Sequence, residues 1–107
     1  RLEQAGYDAV EIHAGNGYLF QQFFTPRINK RTDQYGGSFA NRVRPLMETI
    51  ARFKDELPEF PLVIRLSASE FTADSYTQDE IIELARNLRQ AGAIEIQGWV
   101  VARTLPR

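Results

Sequence analysis

Three short runs with strand character alternate along this chain with runs of helical periodicity, and no other feature narrows its fold so far. The first run, Tyr7 to His13, puts Val10 and Ile12 on one side and Ala9, Glu11 and His13 on the other, between Gly6 and Gly15. The second, Leu62-Val63-Ile64-Arg65-Leu66, is short and strongly apolar, as buried parallel strands are. Ala93 to Ile96 is the third. Between the first two, Leu46, Ile50, Phe53 and Leu57 form a stripe at helical spacing, and between the last two Ile81, Leu84, Ala85 and Leu88 form another. Such alternation predicts parallel strands joined by right-handed helical crossovers, in a barrel segment or an open doubly wound sheet. Periodicity leaves both open.

Local signals punctuate these elements. Arg1 to Ala5 reads as the last turn of a helix stopped by Gly6. Leu19, Phe20, Phe23 and Phe24 predict a short helical turn ending before Pro26, followed by a polar loop to Gly37. Ser38 can cap the next helix, in which Pro45 either forces a kink or starts a second helix near its first position. Thr77-Gln78-Asp79-Glu80 is a capping-box pattern, and Gly92 marks the stop of the helix it opens.

Composition removes several function classes. The formal net charge of -1 gives no overall pull toward nucleic acid or an anionic membrane. No apolar run approaches the roughly 18 residues of a membrane span. With no cysteine and one histidine, neither a disulfide framework, a thiolate nucleophile nor a thiolate zinc site is available, and no metal site is expected. A cytoplasmic setting is the expectation. A complete (β/α)8 barrel needs roughly 250 residues, so the 107 here can form only part of one.

His13-Ala14-Gly15-Asn16-Gly17-Tyr18 lies just past the carboxyl end of the first strand, where parallel α/β folds carry their active-site loops. An imidazole, an amide and a phenol can converge there, two donors to polarise a carbonyl or nitro oxygen and one proton source. Alternatively His13 and Asn16 satisfy backbone groups of a turn while Tyr18 packs. Arg65 should share a face with Val63, opposite Ile64 and Leu66, and a guanidinium there needs an anionic or polar partner. That partner is either a ligand or a carboxylate such as Glu11 on the neighbouring strand. The loop with Arg27, Lys30, Arg31, Phe23, Phe24 and Tyr35 mixes basic and aromatic residues, but its charges are few and Asp33 sits among them, so internal pairing is expected rather than nucleic-acid binding.

The stretches Ala5 to His13, Asn16-Gly17-Tyr18-Leu19 with Gln22-Phe23, Asn29 to Ser38, Asn41-Arg42 and Val63 to Ser67, in that order, resemble the old yellow enzyme family of FMN-dependent oxidoreductases. The resemblance implies a partial TIM (β/α)8 barrel, about its fourth to sixth strands, over residues 1–96. It fades beyond Ala93, which makes residues 97–107 an atypical end. By the same resemblance His13 and Asn16 bind the activating oxygen of the substrate, Tyr18 is the catalytic proton donor, and Arg65 contacts the pyrimidine edge of FMN. NAD(P)H is then the reductant and a small activated alkene (an enone, enoate or dienoyl compound) the substrate. The 107 residues alone are expected to be inactive. Two other classes stay on the table: a non-catalytic remnant or interaction segment that binds no FMN, and a metal-dependent lyase or hydrolase on a barrel.

Overall fold

Strands β1 (Val10–Ala14) and β2 (Leu62–Ser67) pair in parallel, with Val10 opposite Leu62 and Ala14 opposite Leu66, in a computed structural model that describes residues 4–15, 17–69 and 74–99. Strand β3 (Glu95–Trp99) joins the other edge of β2, also parallel, giving the order β1-β2-β3 among the described residues. Each strand therefore needs a crossover to reach the next. The first crossover holds α1 (Leu19–Phe24), α2 (Phe39–Arg42) and α3 (Arg44–Glu56); the second holds α4 (Gln78–Gln90).

The strands are shorter or later than the sequence pattern predicts, for reasons of pairing. Tyr7 to Ala9 are exposed, and the ladder starts where Val10 N-H donates to the Pro61 carbonyl. A strand is defined by its partner as much as by its own residues. Ala93 N-H still closes the end of α4 on the Leu88 carbonyl, so β3 begins at Glu95 and runs through Trp99, across the boundary after residue 96. The helix end expected over Arg1 to Ala5 falls partly outside the described residues; Gln4 to Gly6 form a turn.

Helix boundaries follow the punctuation closely. Ser38 Oγ accepts from Asn41 N-H at the start of α2. Pro45 does not kink a continuous helix: α2 ends, Val43 serves as its C-cap and as the N-cap of α3, and the proline sits in the first turn of α3, where its missing N-H costs nothing. Thr77 and Glu80 form both halves of the capping box. Tyr76 and Ile81 flank that box at the N′ and N4 positions and lie in the same buried cluster, the arrangement of a hydrophobic staple.

Alternation along β2 decides the layering. Leu62, Ile64 and Leu66 are buried with Leu46 and Ile50 of α3 and Leu84 and Leu88 of α4, each such side chain contributing about 1.5–3 kcal/mol. Phe53 packs against this cluster as the stripe predicts, while Leu57 is only half-buried at the C-cap. The other face carries Glu11, His13, Val63, Arg65, Glu95 and Gln97, all half-buried or exposed. Right-handed crossovers between consecutive parallel strands place their helices on one side, in a barrel segment and in one half of a doubly wound sheet alike.

Candidate active site

The register settles which side chains can act together. His13 is the parallel partner of Arg65, and Arg65 of Gln97, so the three stand in a row across the face that no described helix covers, about 4.8 Å from strand to strand. One residue past His13 and two past Arg65, β1 and β2 end and their loops begin. His13, Tyr18 and Arg65 are thus gathered at one end of one face. Asn16, the fourth residue singled out by sequence, lies outside the described residues.

The loop after β1 turns sharply, and two glycines make the turn possible. A side chain on Gly15 would stand 2.8 Å from the Ser67 backbone nitrogen and 2.7 Å from its Oγ, so only glycine lets this loop lie against the end of β2. Gly17 has φ +78°, in the left-handed region. Tyr18 N-H donates to the Gly15 carbonyl at 3.2 Å, and Tyr18 then becomes the N-cap of α1 with its side chain 62% exposed. The rings of His13 and Tyr18 meet edge to face at 5.1 Å. Gly15 N-H donates to His13 Nδ1 at 3.4 Å, so a His13 ring that accepts there has Nε2 as its donor nitrogen.

Arg65 has the carboxylate neighbour that its position in β2 requires. Its Nε lies 3.6 Å from Glu11 Oε1, with both side chains partly exposed, an ion pair too long to be a direct hydrogen bond. The two readings of Arg65, internal pair and ligand contact, do not exclude each other at this exposure. Among the described residues no group of three or more His, Asp or Glu could hold a metal ion, and no helix is long and apolar enough to cross a membrane.

Three residues that sequence reasoning missed hold this end together. Gln21 Oε1 accepts from Gly17 N-H at 2.6 Å, Gln21 Nε2 donates to Tyr76 Oη at 3.2 Å, and Tyr76 Oη donates to the Ser67 carbonyl at 2.7 Å. Gln21, Tyr76 and Ser67 are 6%, 5% and 3% exposed. Below them Phe24 meets Tyr76 edge to face at 6.4 Å. Deeper in the helical layer, buried Arg42 donates to Glu80 Oε2 at 2.9 Å, tying α2 to the capping box of α4.

The basic and aromatic loop is built differently. Arg31 pairs with Asp33 and lies over the rings of Phe23 and Tyr35, Asn29 Nδ2 donates to the carbonyls of Phe23 and Tyr35, and Tyr35 Oη donates to Glu48 Oε1. The hydrogen bond from Arg31 holds the Asp33 carboxyl below the usual carboxylate range, and the one to Glu48 raises the Tyr35 phenol. A groove of about 460 Å³ between this loop and α3, lined by Phe23, Arg31, Tyr35, Glu48 and Arg52 among others, shares no residue with the His13 end.

Comparison with known proteins adds the family. The model of the NADH:flavin oxidoreductase / NADH oxidase family matches residues 1–104. An NADH:flavin oxidoreductase from Gibberella zeae is 47% identical over 85 residues, 78% of this chain and 21% of that one. Among solved structures, a 2-naphthoyl-CoA reductase in complex with 2-naphthoyl-CoA superposes with a TM-score of 0.81 at 34% identity, over 92% of this chain and 16% of that one. An old yellow enzyme homologue from Zymomonas mobilis gives 0.78 at 29% identity, over 91% and 28%. These neighbours are TIM barrels. The chain thus spans 16–28% of the length of these three relatives.

Proposed function

Because the chain belongs to the NADH:flavin oxidoreductase / NADH oxidase family, we propose that it supplies the substrate-activating wall of an FMN-dependent, NAD(P)H-driven ene-reductase site, as about the fourth to sixth strands of its barrel. In this reading residues 1–96 are the barrel segment and 97–107 its atypical end. The observation that carries the proposal is the row of His13 beside Arg65, with the Tyr18 ring against His13, on the face that no described helix covers.

The donor set fits the cofactor. A guanidinium and an imidazole stand side by side where a ring with an acceptor-rich pyrimidine edge can lie, and Arg65 is the residue assigned to that edge. The phosphate of FMN is assigned to no residue of this chain. When bound, FMN supplies the hydride, which it receives from NAD(P)H. The chain's own residues prepare the acceptor. His13, through Nε2-H, and Asn16, through its amide, hold the oxygen conjugated to the alkene and stabilise negative charge as it develops there. Tyr18 gives the proton from Oη to the α-carbon while the β-carbon accepts hydride, so that one hydride and one proton complete the saturated product. The phenolate left at this exposed position then recovers its proton from water.

The test uses the full polypeptide that carries these residues, loaded with FMN and reduced anaerobically by NADPH. On mixing with cyclohex-2-enone, Tyr18→Phe should slow flavin reoxidation by about 100-fold or more, the size of general acid catalysis, while reduction by NADPH stays within about twofold. Equal reoxidation rates in the variant and the wild type contradict the role given to Tyr18.

A further inference from the structure

Resting on that reading of the site, we propose that Gln21 and Tyr76 are positioning residues, which set the place of the Tyr18 phenol through a buried hydrogen-bond relay. The chain of contacts is continuous: Gly17 N-H to Gln21 Oε1, Gln21 Nε2-H to Tyr76 Oη, Tyr76 Oη-H to the Ser67 carbonyl. Each link spends one donor on one acceptor, so the direction of the relay is fixed by the backbone groups at its two ends. Gly17 is the residue before Tyr18, and Ser67 lies two past Arg65 on β2. The relay therefore spans the distance between the proton donor's loop and the strand that bears the guanidinium.

Its placement argues for more than core filling. A glutamine amide and a tyrosine hydroxyl buried to this degree are costly unless satisfied, and apolar side chains of similar size would fill the same space. What the polar pair adds is direction. The Gly17 amide is held by a side chain whose own orientation is fixed by a group 55 residues away, at the start of α4. The second restraint is the seat of Gly15 against Ser67. Two restraints on consecutive parts of one loop leave Tyr18, itself unrestrained by burial, a defined path for its backbone. Two active-end loops, the one after β1 and the one that runs from β2 into α4, are thereby coupled.

The experiment is the same anaerobic stopped-flow assay on the FMN-loaded full polypeptide, with Tyr76→Phe, Gln21→Leu, the double variant, and each single change repeated in a Tyr18→Phe background. Each single change should slow reoxidation by cyclohex-2-enone about tenfold, as misplacement of a reacting group does, with reduction by NADPH within about twofold. The double variant should lose no more than either single one, because both cut one relay. In the Tyr18→Phe background neither change should cost anything further. A purely structural role would lower both half-reactions, or would persist undiminished without the Tyr18 hydroxyl; either result, or an unchanged enone step, overturns the proposal. Tyr18→Phe alone separates this failure from failure of the functional reading. Hydrogen exchange on the wild-type protein gives a readout that no folding defect can obscure: the Gly17 amide should exchange at least about tenfold more slowly than an unprotected amide, and free exchange there overturns the relay.

Discussion

The two faces of strand β2 carry one sequence into opposite environments. Leu62, Ile64 and Leu66 are at most 2% exposed beneath α3 and α4, while Val63 and Arg65, one residue out of phase, stand half-buried in the row with Glu11, His13 and Gln97. The covered face is where the chain gains its stability, and the open face is where it keeps groups that water or a ligand can reach. Substitutions on the two faces should therefore differ in kind. Ile64→Ala should lower the stability of the full polypeptide by about 2–5 kcal/mol in denaturant unfolding, through lost burial and a cavity. Glu11→Gln, which removes the charge of a partly exposed ion pair on the other face, should cost less than about 1 kcal/mol in the same measurement. Comparable losses from the two would break the division between the faces.

A subtler contrast separates the two loops of the first crossover. The loop after β1 is fastened by long-range contacts to Ser67 and Tyr76, and the loop around Arg31 mainly by its own residues and α3. The second loop should accordingly respond to acid by itself. The Asp33 carboxyl is held below its ordinary range, so its contribution is present at pH above the unfolded carboxylate value and is lost as pH falls through the lower folded one. Amide chemical shifts of residues 29–37 should follow that acid titration in the wild type and not in Asp33→Asn, with the His13 loop silent in both. Movement of the His13 loop in step with Asp33 would show that the loops are coupled.

The sequence is most legible where a local rule operates. The Thr77 capping box and the alternation of β2 each need only neighbours a few residues apart, and both are seen, while Pro45 left a kink and a fresh helix start open and the structure has the second. The pair between Arg65 and Glu11 is legible as one of two alternatives, because strand phase fixes the face and a guanidinium there needs an anionic or polar partner, a carboxylate or a ligand. Strand starts were less so: Tyr7 to Ala9 have the right pattern but no partner opposite, since the ladder begins at Pro61. The relay of Gln21, Tyr76 and Ser67 has no local signature. A glutamine inside an aromatic helical turn and a tyrosine before an N-cap look like ordinary residues until the fold brings them together. One signal was present even so, an uncharged polar residue, Gln21, on the side of α1 that also buries Phe24. Buried polar residues call for partners, and the partner had to come from elsewhere in the chain.

The central claim is that the flavin ring lies at the carboxyl end of β1 and β2, beside His13 and Arg65. Titration of the full apo-polypeptide with FMN, followed by quenching of flavin fluorescence, tests it through Arg65→Leu. Loss of a charge-assisted contact worth about 1.5–3 kcal/mol predicts a Kd weaker by about tenfold to a hundredfold, with the unfolding midpoint nearly unchanged. An Arg65→Leu protein that folds as the wild type does and binds FMN with the same Kd would contradict it.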